Sequence, residues 1–295
     1  MKHQILLPED ERGTRGLSPL FNAALGDLMW RRLAIVNVLF YGMPRGKESP
    51  WVLIDAGIPG RSGAIMRYAS DRFAPGVPPT AIILTHGHFD HVGTLEKLAA
   101  EWNAPIFAHP LELPYLNGQA SYPPADPTVG GGLMARLSVF YPRGPIDVSR
   151  WLYPLPEDGS VPAMPGWRWL HTPGHTPGHI SLWRESDRTI IAGDAFITTN
   201  QESAYAVVTQ KPELHGPPMY YTQNWDEAEV SVQKLAALDP ELVITGHGPP
   251  LRGDKMRAAL YQLAQDFRAV AVPGTGEYVD HPTSAETGTA YAYHR

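Results

Sequence analysis

The stretch Ala81-Ile82-Ile83-Leu84-Thr85-His86-Gly87-His88-Phe89-Asp90-His91 decides the fold. Ala81–Leu84 is short and apolar, which reads as a buried strand. It runs straight into a loop carrying His86, His88, Asp90 and His91, four potential metal ligands in six residues. Val92–Trp102 then reads as a helix. A lone histidine is more often a satisfied core or surface residue than a ligand. Four such groups packed together differ, because burying them without a cation costs several kcal/mol in desolvation and repulsion. Neutral imidazole and carboxylate suit zinc, iron or manganese.

Three more segments follow the same logic. Thr172-Pro173-Gly174-His175-Thr176-Pro177-Gly178-His179 comes after a predicted strand at Trp167–His171. Ala192-Gly193-Asp194 ends a predicted strand at Thr189–Ala192, and Thr245-Gly246-His247-Gly248 ends another at Glu241–Thr245. Each places a His or Asp just past an apolar run. Loops at strand ends are where rigid scaffolds display reactive groups, and the interspersed glycines let backbone approach closely.

With Leu53-Ile54-Asp55-Ala56-Gly57 ahead of them, these segments resemble, in order, the pattern of the metallo-β-lactamase fold superfamily. The resemblance covers about residues 33–270. It implies an α+β fold, a four-layer αββα sandwich with a two-metal site at one edge. Carried over residue by residue, His86, His88 and His175 would hold one ion. Asp90, His91 and His247 would hold the other, with Asp194 bridging them. The resemblance makes Asp55 a residue that orients a ligand, and makes His179 a neighbour of the ligands rather than one of them. Two divalent ions, zinc or else manganese, iron or cobalt, would share a bridging hydroxide that attacks a carbonyl or phosphoryl centre. Asp90 would accept or relay a proton, so Asp90 and Asp194 are the catalytic candidates.

Composition narrows the function. The chain has 295 residues, no cysteine, 24 Lys+Arg against 30 Asp+Glu, and a net charge of −6. Absence of cysteine excludes disulfides, thiolate metal sites and a Cys nucleophile. The acidic balance and lack of any basic run exclude a dedicated nucleic-acid binder, and nuclease members of the superfamily rank low accordingly. No apolar run approaches the roughly 20 residues of a membrane span, and the N-terminus shows no signal-peptide apolar region. A cytoplasmic enzyme acting on a small molecule is the expectation, with a homodimer compatible.

Fold does not fix substrate. The commonest zinc β-lactamases use a Cys in the second metal site, which this chain lacks. Lactonases and glyoxalase II-like thioesterases remain, and both resemble the ligand set here. Many homoserine-lactone lactonases carry a Tyr three residues after the bridging Asp; here that position is Ile197. A glutathione clamp would draw on Lys255, Arg257 and Arg268 of the last helix, and none is convincing. The expected activity is therefore hydrolysis of a lactone or related carboxylic ester. Glyoxalase II-like thioester hydrolysis is the alternative, then phosphoester, phosphotriester or weak β-lactam cleavage. A mononuclear iron persulfide dioxygenase needs only the His86, His175 and Asp194 positions and comes last.

The remaining chain is read more coarsely. Residues 1–272 form one domain with long loops at 111–150 and 198–224, and 273–295 form a polar tail, either disordered or an oligomer arm. Leu33–Tyr41 reads as one strand and Pro19–Trp30 as weakly helical. Asp226 is the expected cap of a helix reaching about Leu238. Tyr141, Phe196, Tyr205, Tyr220 and Tyr221 are candidate walls of an apolar substrate pocket. His215 is expected at the surface, and His109 and His171 as structural residues at strand ends.

Overall fold

Strict period-two alternation sorts the strand residues into layers. A computed structural model describes residues 5–6, 23–44 and 50–293. A seven-stranded sheet holds, in spatial order, β1 (Ala23–Leu25), β2 (Leu28–Leu33), β3 (Val36–Tyr41), β4 (Val52–Ile54), β5 (Ala81–Ile83), β6 (Ile106–Ala108) and β7 (Leu152–Pro154). Strands β1 to β4 are antiparallel, and β4 to β7 run parallel. A five-stranded sheet holds β8 (Trp167–His171), β9 (Ile180–Arg184), β10 (Thr189–Gly193), β11 (Leu242–Thr245) and β12 (Leu251–Arg252), with β10 and β11 parallel.

Odd and even residues of each strand face different cores. Val38, Phe40, Leu53 and Ile82 pack with Ile65 and Ala69 of α1 (Ser62–Arg72) and Leu95 and Leu98 of α2 (Leu95–Trp102). Leu39, Val52, Ile54 and Ile83 face the other way and meet Ile180, Leu182, Ile191, Leu242 and Ile244 of the second sheet. Ile190, Ala192 and Val243 face α3 (Trp225–Ala236) and α4 (Asp254–Gln265) through Val232, Leu235, Met256 and Leu260. The result is helix, sheet, sheet, helix: the four-layer αββα sandwich. Burial on both faces explains why the central strands read as continuous apolar runs.

Several local expectations need correcting. Leu33–Tyr41 is not one strand: Ala34 and Ile35 form a two-residue turn between β2 and β3, with Leu33 paired to Val36. Ala34 takes the left-handed conformation (φ 60°) that such a tight hairpin demands. The flanking Leu33 and Val36 are buried, while Ala34 at the turn is exposed and Ile35 half-buried. Asn37 Nδ2 donates to the carbonyls of Thr245 and Gly248, which flank His247. Residues 23–25 and 28–30 are strand rather than helix, and 19–22 lie outside the described residues. The cap of α3 is Asn224, whose side chain accepts from the Glu227 amide at 3.2 Å. Asp226 instead lies in the first turn, where its charge suits the helix dipole.

The described part of the tail is neither disordered nor a free arm. Ala292–Tyr293 pairs antiparallel with Ala120–Ser121. Tyr278 donates to the Pro124 carbonyl, and Tyr291 to the Leu111 carbonyl at 3.0 Å. The amide of Glu277 donates to Asp126 at 2.7 Å, and the Thr283 amide to the Gln223 carbonyl at 3.0 Å. Tyrosines do here the anchoring that large aliphatics do elsewhere, each joining an apolar ring to a polar tip.

Candidate metal centre

Every residue of the ligand pattern sits at the C-terminal end of a strand or in the loop that follows one. β4 delivers Asp55, β5 delivers His86 and His88, and the short helix Phe89–Val92 carries Asp90 and His91. The β8–β9 loop carries His175 and His179, while Asp194 follows β10 and His247 follows β11. The two sheets therefore aim their strand ends at one edge of the sandwich. The sequence-predicted ligands converge there as three overlapping groups: His86, His88 and His175; His86, His91 and Asp194; Asp90, His91 and His247. Within each group the donor atoms lie within 4.8 Å of one another.

The residues fit a metal on chemical grounds. His86 Nε2, His91 Nε2 and Asp194 Oδ1 are buried and have no hydrogen-bond partner. Orphans in a polar cluster cost a kilocalorie or more each unless a cation takes them. Asp194 Oδ2 lies 3.1 Å from His247 Nε2 and 3.6 Å from both His91 Nε2 and His175 Nε2. Asp90 Oδ2 is 3.4 Å from His247 Nε2. Gly246 permits this crowding, since a Cβ there would stand 2.0 Å from Asp194 Oδ1.

The opposite ring nitrogens are held from behind, as metal-binding imidazoles require. His91 Nδ1 lies 2.8 Å from Asp55 Oδ2, and His247 Nδ1 2.6 Å from the Ile35 carbonyl. His86 Nδ1 lies 3.1 Å from Thr85 Oγ1, which donates to Asp55 Oδ2. Asp55 also accepts the Thr85 amide, so it secures the start of the loop. It does so in the left-handed conformation (φ 60°), a strained choice for a non-glycine residue. His179 is spoken for on both sides. Its Nε2 accepts the Asp194 amide at 2.9 Å and its Nδ1 faces the Thr172 carbonyl at 3.0 Å. It fixes the backbone of Asp194.

Charge follows the same division. Burial, reinforced by neighbouring imidazoles, pushes His86 and His88 well below the usual histidine range, and burial takes His175 down to about 3. These rings are neutral, the form that binds metal. Burial alone would raise Asp194, but His247 and His91 hold it well below the usual carboxylate range.

Over this floor lies a roof drawn from both long loops. Tyr220 and Tyr221 pack with Ala125, Val129, Ala135, Phe89, Met134 and Tyr141. His88 is held between Tyr221, stacked at 4.4 Å, and Tyr122, also at 4.4 Å. Of the seven residues, Asp90 is the most exposed, at 7%. Two candidate pocket residues do not join this roof. Phe196 is fully buried between the second sheet and α3, and Tyr205 is 74% exposed on the helix Ala204–Thr209. Both lie near the site in sequence, but side-chain direction carries one into the core and the other into solvent.

His215 is the reverse case: expected at the surface, it is buried. Its backbone pairs with Ile197, while the adjoining Glu213–Leu214 pairs with Ile5–Leu6. The two-residue strand and the single bridge beside it bury the segment, which alternation over the four residues between Pro212 and Pro217 does not reveal. The sequence pattern does not single out Glu112, which is fully buried beside the loops that carry His86, His88 and His175. Its only signal is an acidic residue inside the otherwise apolar run Leu111–Leu116 just past β6.

Comparison with known proteins agrees with this geometry. Residues 32–247 match the model of the metallo-beta-lactamase superfamily. The chain belongs to that superfamily. It is 48% identical over 236 residues to the probable metallo-hydrolase YflN of Bacillus subtilis strain 168, covering 80% of this chain and 89% of that protein. It is 32% identical over 170 residues to a second probable metallo-hydrolase of the same organism, YybB, covering 58% and 64%. A beta-lactamase domain protein from Burkholderia ambifaria superposes with a TM-score of 0.56 at 20% identity, covering 83% of this chain and 72% of that one. A metallo-beta-lactamase family protein from Thermus thermophilus gives 0.53 at 20% identity, covering 84% and 81%. These two likenesses concern the fold alone. With His and Asp groups positioned for metal, the chain is a metallo-hydrolase of that superfamily. Among the described residues no helix is long and apolar enough to cross a membrane.

Proposed function

We propose that this metallo-hydrolase is dinuclear and opens lactones or related carboxylic esters. His86, His88 and His175 would hold one ion, and Asp90, His91 and His247 the second, with Asp194 between them. Zinc is the favoured metal, though these N and O donors also accept manganese, iron or cobalt. Bound there, the metals supply Lewis acidity and lower the pKa of water toward neutrality. Asp194, within reach of His91, His175 and His247 at once, would hold the centre together. Asp90, the least buried of the seven residues, would take up the proton that water gives up on attack and return it to the departing alkoxide. His179 and Asp55 keep Asp194 and His91 in register. Tyr141, Tyr220, Tyr221 and Phe89 shed water from the acyl part of the substrate.

The observation that carries the choice of substrate is the apolar, aromatic roof beside Asp90. A glutathione thioester would need cations for its carboxylates. Arg257 is instead engaged by Glu241 and Asp254, and Arg268 by Asp226 and Glu229, the latter at 2.8 Å. The test is proton release in a pH-stat, with metal content recorded on the same sample, on an acyl-homoserine lactone and on lactoylglutathione. Fast lactone opening with slow thioester cleavage is expected. The reverse ranking overturns the ester reading in favour of the thioester. Silence on both, with two metals bound, overturns it in favour of phosphoesters and β-lactams.

A further inference from the structure

Glu112 closes the helical turn Pro110–Glu112 after β6 and is fully buried. Its Oε2 accepts the Gly87 amide at 2.9 Å and the Tyr122 hydroxyl. Its Oε1 accepts the Thr176 hydroxyl at 2.8 Å and the Gly178 amide at 2.9 Å. Gly87 lies between His86 and His88, and Thr176 follows His175 directly. One carboxylate thus ties the loop after β5 to the loop after β8, which come from different sheets. The fit is close: a Cβ at Gly178 would stand 2.8 Å from the Glu112 amide nitrogen.

We propose that Glu112 is the positioning residue of the metal centre, clasping the loop of His86 and His88 to the loop of His175 so that the three imidazoles face one ion. This rests on reading those three residues as ligands. The chemistry demands a carboxylate. Each of its oxygens receives a backbone N–H, and a backbone N–H cannot turn round to accept. A glutamine must therefore aim its NH2 at one of them, whichever way it flips. Burial pushes the Glu112 carboxyl above the usual carboxylate range, an effect its four donors offset only in part. The clasp is itself braced. Tyr122 stacks on Tyr115 with ring centroids 3.7 Å apart, and Tyr115 donates to the Ala290 carbonyl at 2.8 Å. The C-terminal tail is thereby connected to the ligand loops through two rings and one carboxylate.

The test uses cobalt(II) added to metal-stripped full-length protein. It compares the parent, Glu112→Gln, and the double variant Tyr122→Phe with Thr176→Val. Three quantities are read: the visible cobalt band, the chelator concentration that strips half the cobalt, and the Tm without metal. Glu112→Gln is expected to release cobalt at 10- to 100-fold less chelator, in line with the loss of a residue that orients ligands, and to shift the band. The double variant keeps both backbone bonds and loses the two hydroxyl donors, so it should release cobalt at about 2- to 10-fold less chelator. Glu112→Gln with the parent's band and chelator sensitivity overturns the proposal. So does a variant whose Tm falls while its band and sensitivity stay unchanged, since that is a fold residue only. Should Glu112→Gln fail to fold, the double variant decides, and parental cobalt retention there overturns the clasp. None of these readouts needs a substrate, so a parent inactive on lactones sinks the proposed function and leaves the clasp standing. A parent that takes up no cobalt sinks both.

Discussion

The floor of the site and its roof are built from the same chain in opposite ways. Floor residues stand at strand ends, one step from the core, and several of the candidate ligands are held by contacts from neighbouring loops. Asp55 holds His91 and His179 holds the Asp194 amide. Roof residues belong to the long loops and are fixed by rings and by the tail, through Tyr278 on Pro124 and Thr283 on Gln223. The difference predicts a division of labour. Changes to the floor should move metal binding, and changes to the roof should move substrate affinity.

The floor is broken most severely at Asp194, the residue within reach of His91, His175 and His247 at once. Asp194→Ala should lose metal and hydrolysis together, with activity falling to background. Metal analysis and rate on one preparation check this, and a variant with full metal and full rate contradicts the bridging role. His179→Ala tests the layer behind. Removing the acceptor of the Asp194 amide should weaken metal binding by about 10- to 100-fold while leaving the ligand set complete. Complete loss of one ion from His179→Ala would make His179 a ligand.

The floor was largely legible in the sequence because its residues obey a local rule. His86, Asp194 and His247 each lie just past an apolar strand, and glycines mark the tight places. What went unread depends on distant partners. Glu112 meets Gly178 across 66 positions, and Asn37 meets Thr245 across 208. Nothing in a polar tail announces that Tyr278 and Ala290 will be buried. The hairpin at Ala34–Ile35 misled for a different reason. Turns are expected to be polar; this one carries an exposed Ala34 and a half-buried Ile35, and it meets His247 through the Ile35 backbone carbonyl rather than a side chain.

The roof is tested at Tyr221, whose ring stacks on His88 and packs on Tyr141 at 6.5 Å. Tyr221→Ala should raise KM by about 2- to 10-fold, the scale of one aromatic contact, with metal content unchanged. If metal is lost instead, the stacked ring belongs to the floor, and the division between the two regions fails at that point.

The smallest effect comes from the joint between the sheets, where His109 of the β6 end stacks on His171 of β8 at 4.2 Å. His109 Nδ1 accepts the Leu111 amide at 3.3 Å, capping the turn that presents Glu112. Burial, with His171 beside it, lowers His109 from 6.5 to about 4. A lowered histidine is neutral in the folded chain while the unfolded chain takes a proton near pH 6.5. Between those values the unfolded state binds more protons, so stability falls as pH drops from about 6.5 to 4 and levels off below. His109 is partly exposed, so solvent screening reduces the effect to about 1 kcal/mol. His109→Asn keeps a capping oxygen but cannot titrate. Denaturant midpoints of the two proteins should agree at pH 7 and diverge toward pH 4, with the variant the more stable. Parallel curves across that range would show that the proton is excluded elsewhere, and the joint would then be a packing contact without a charge dependence of its own.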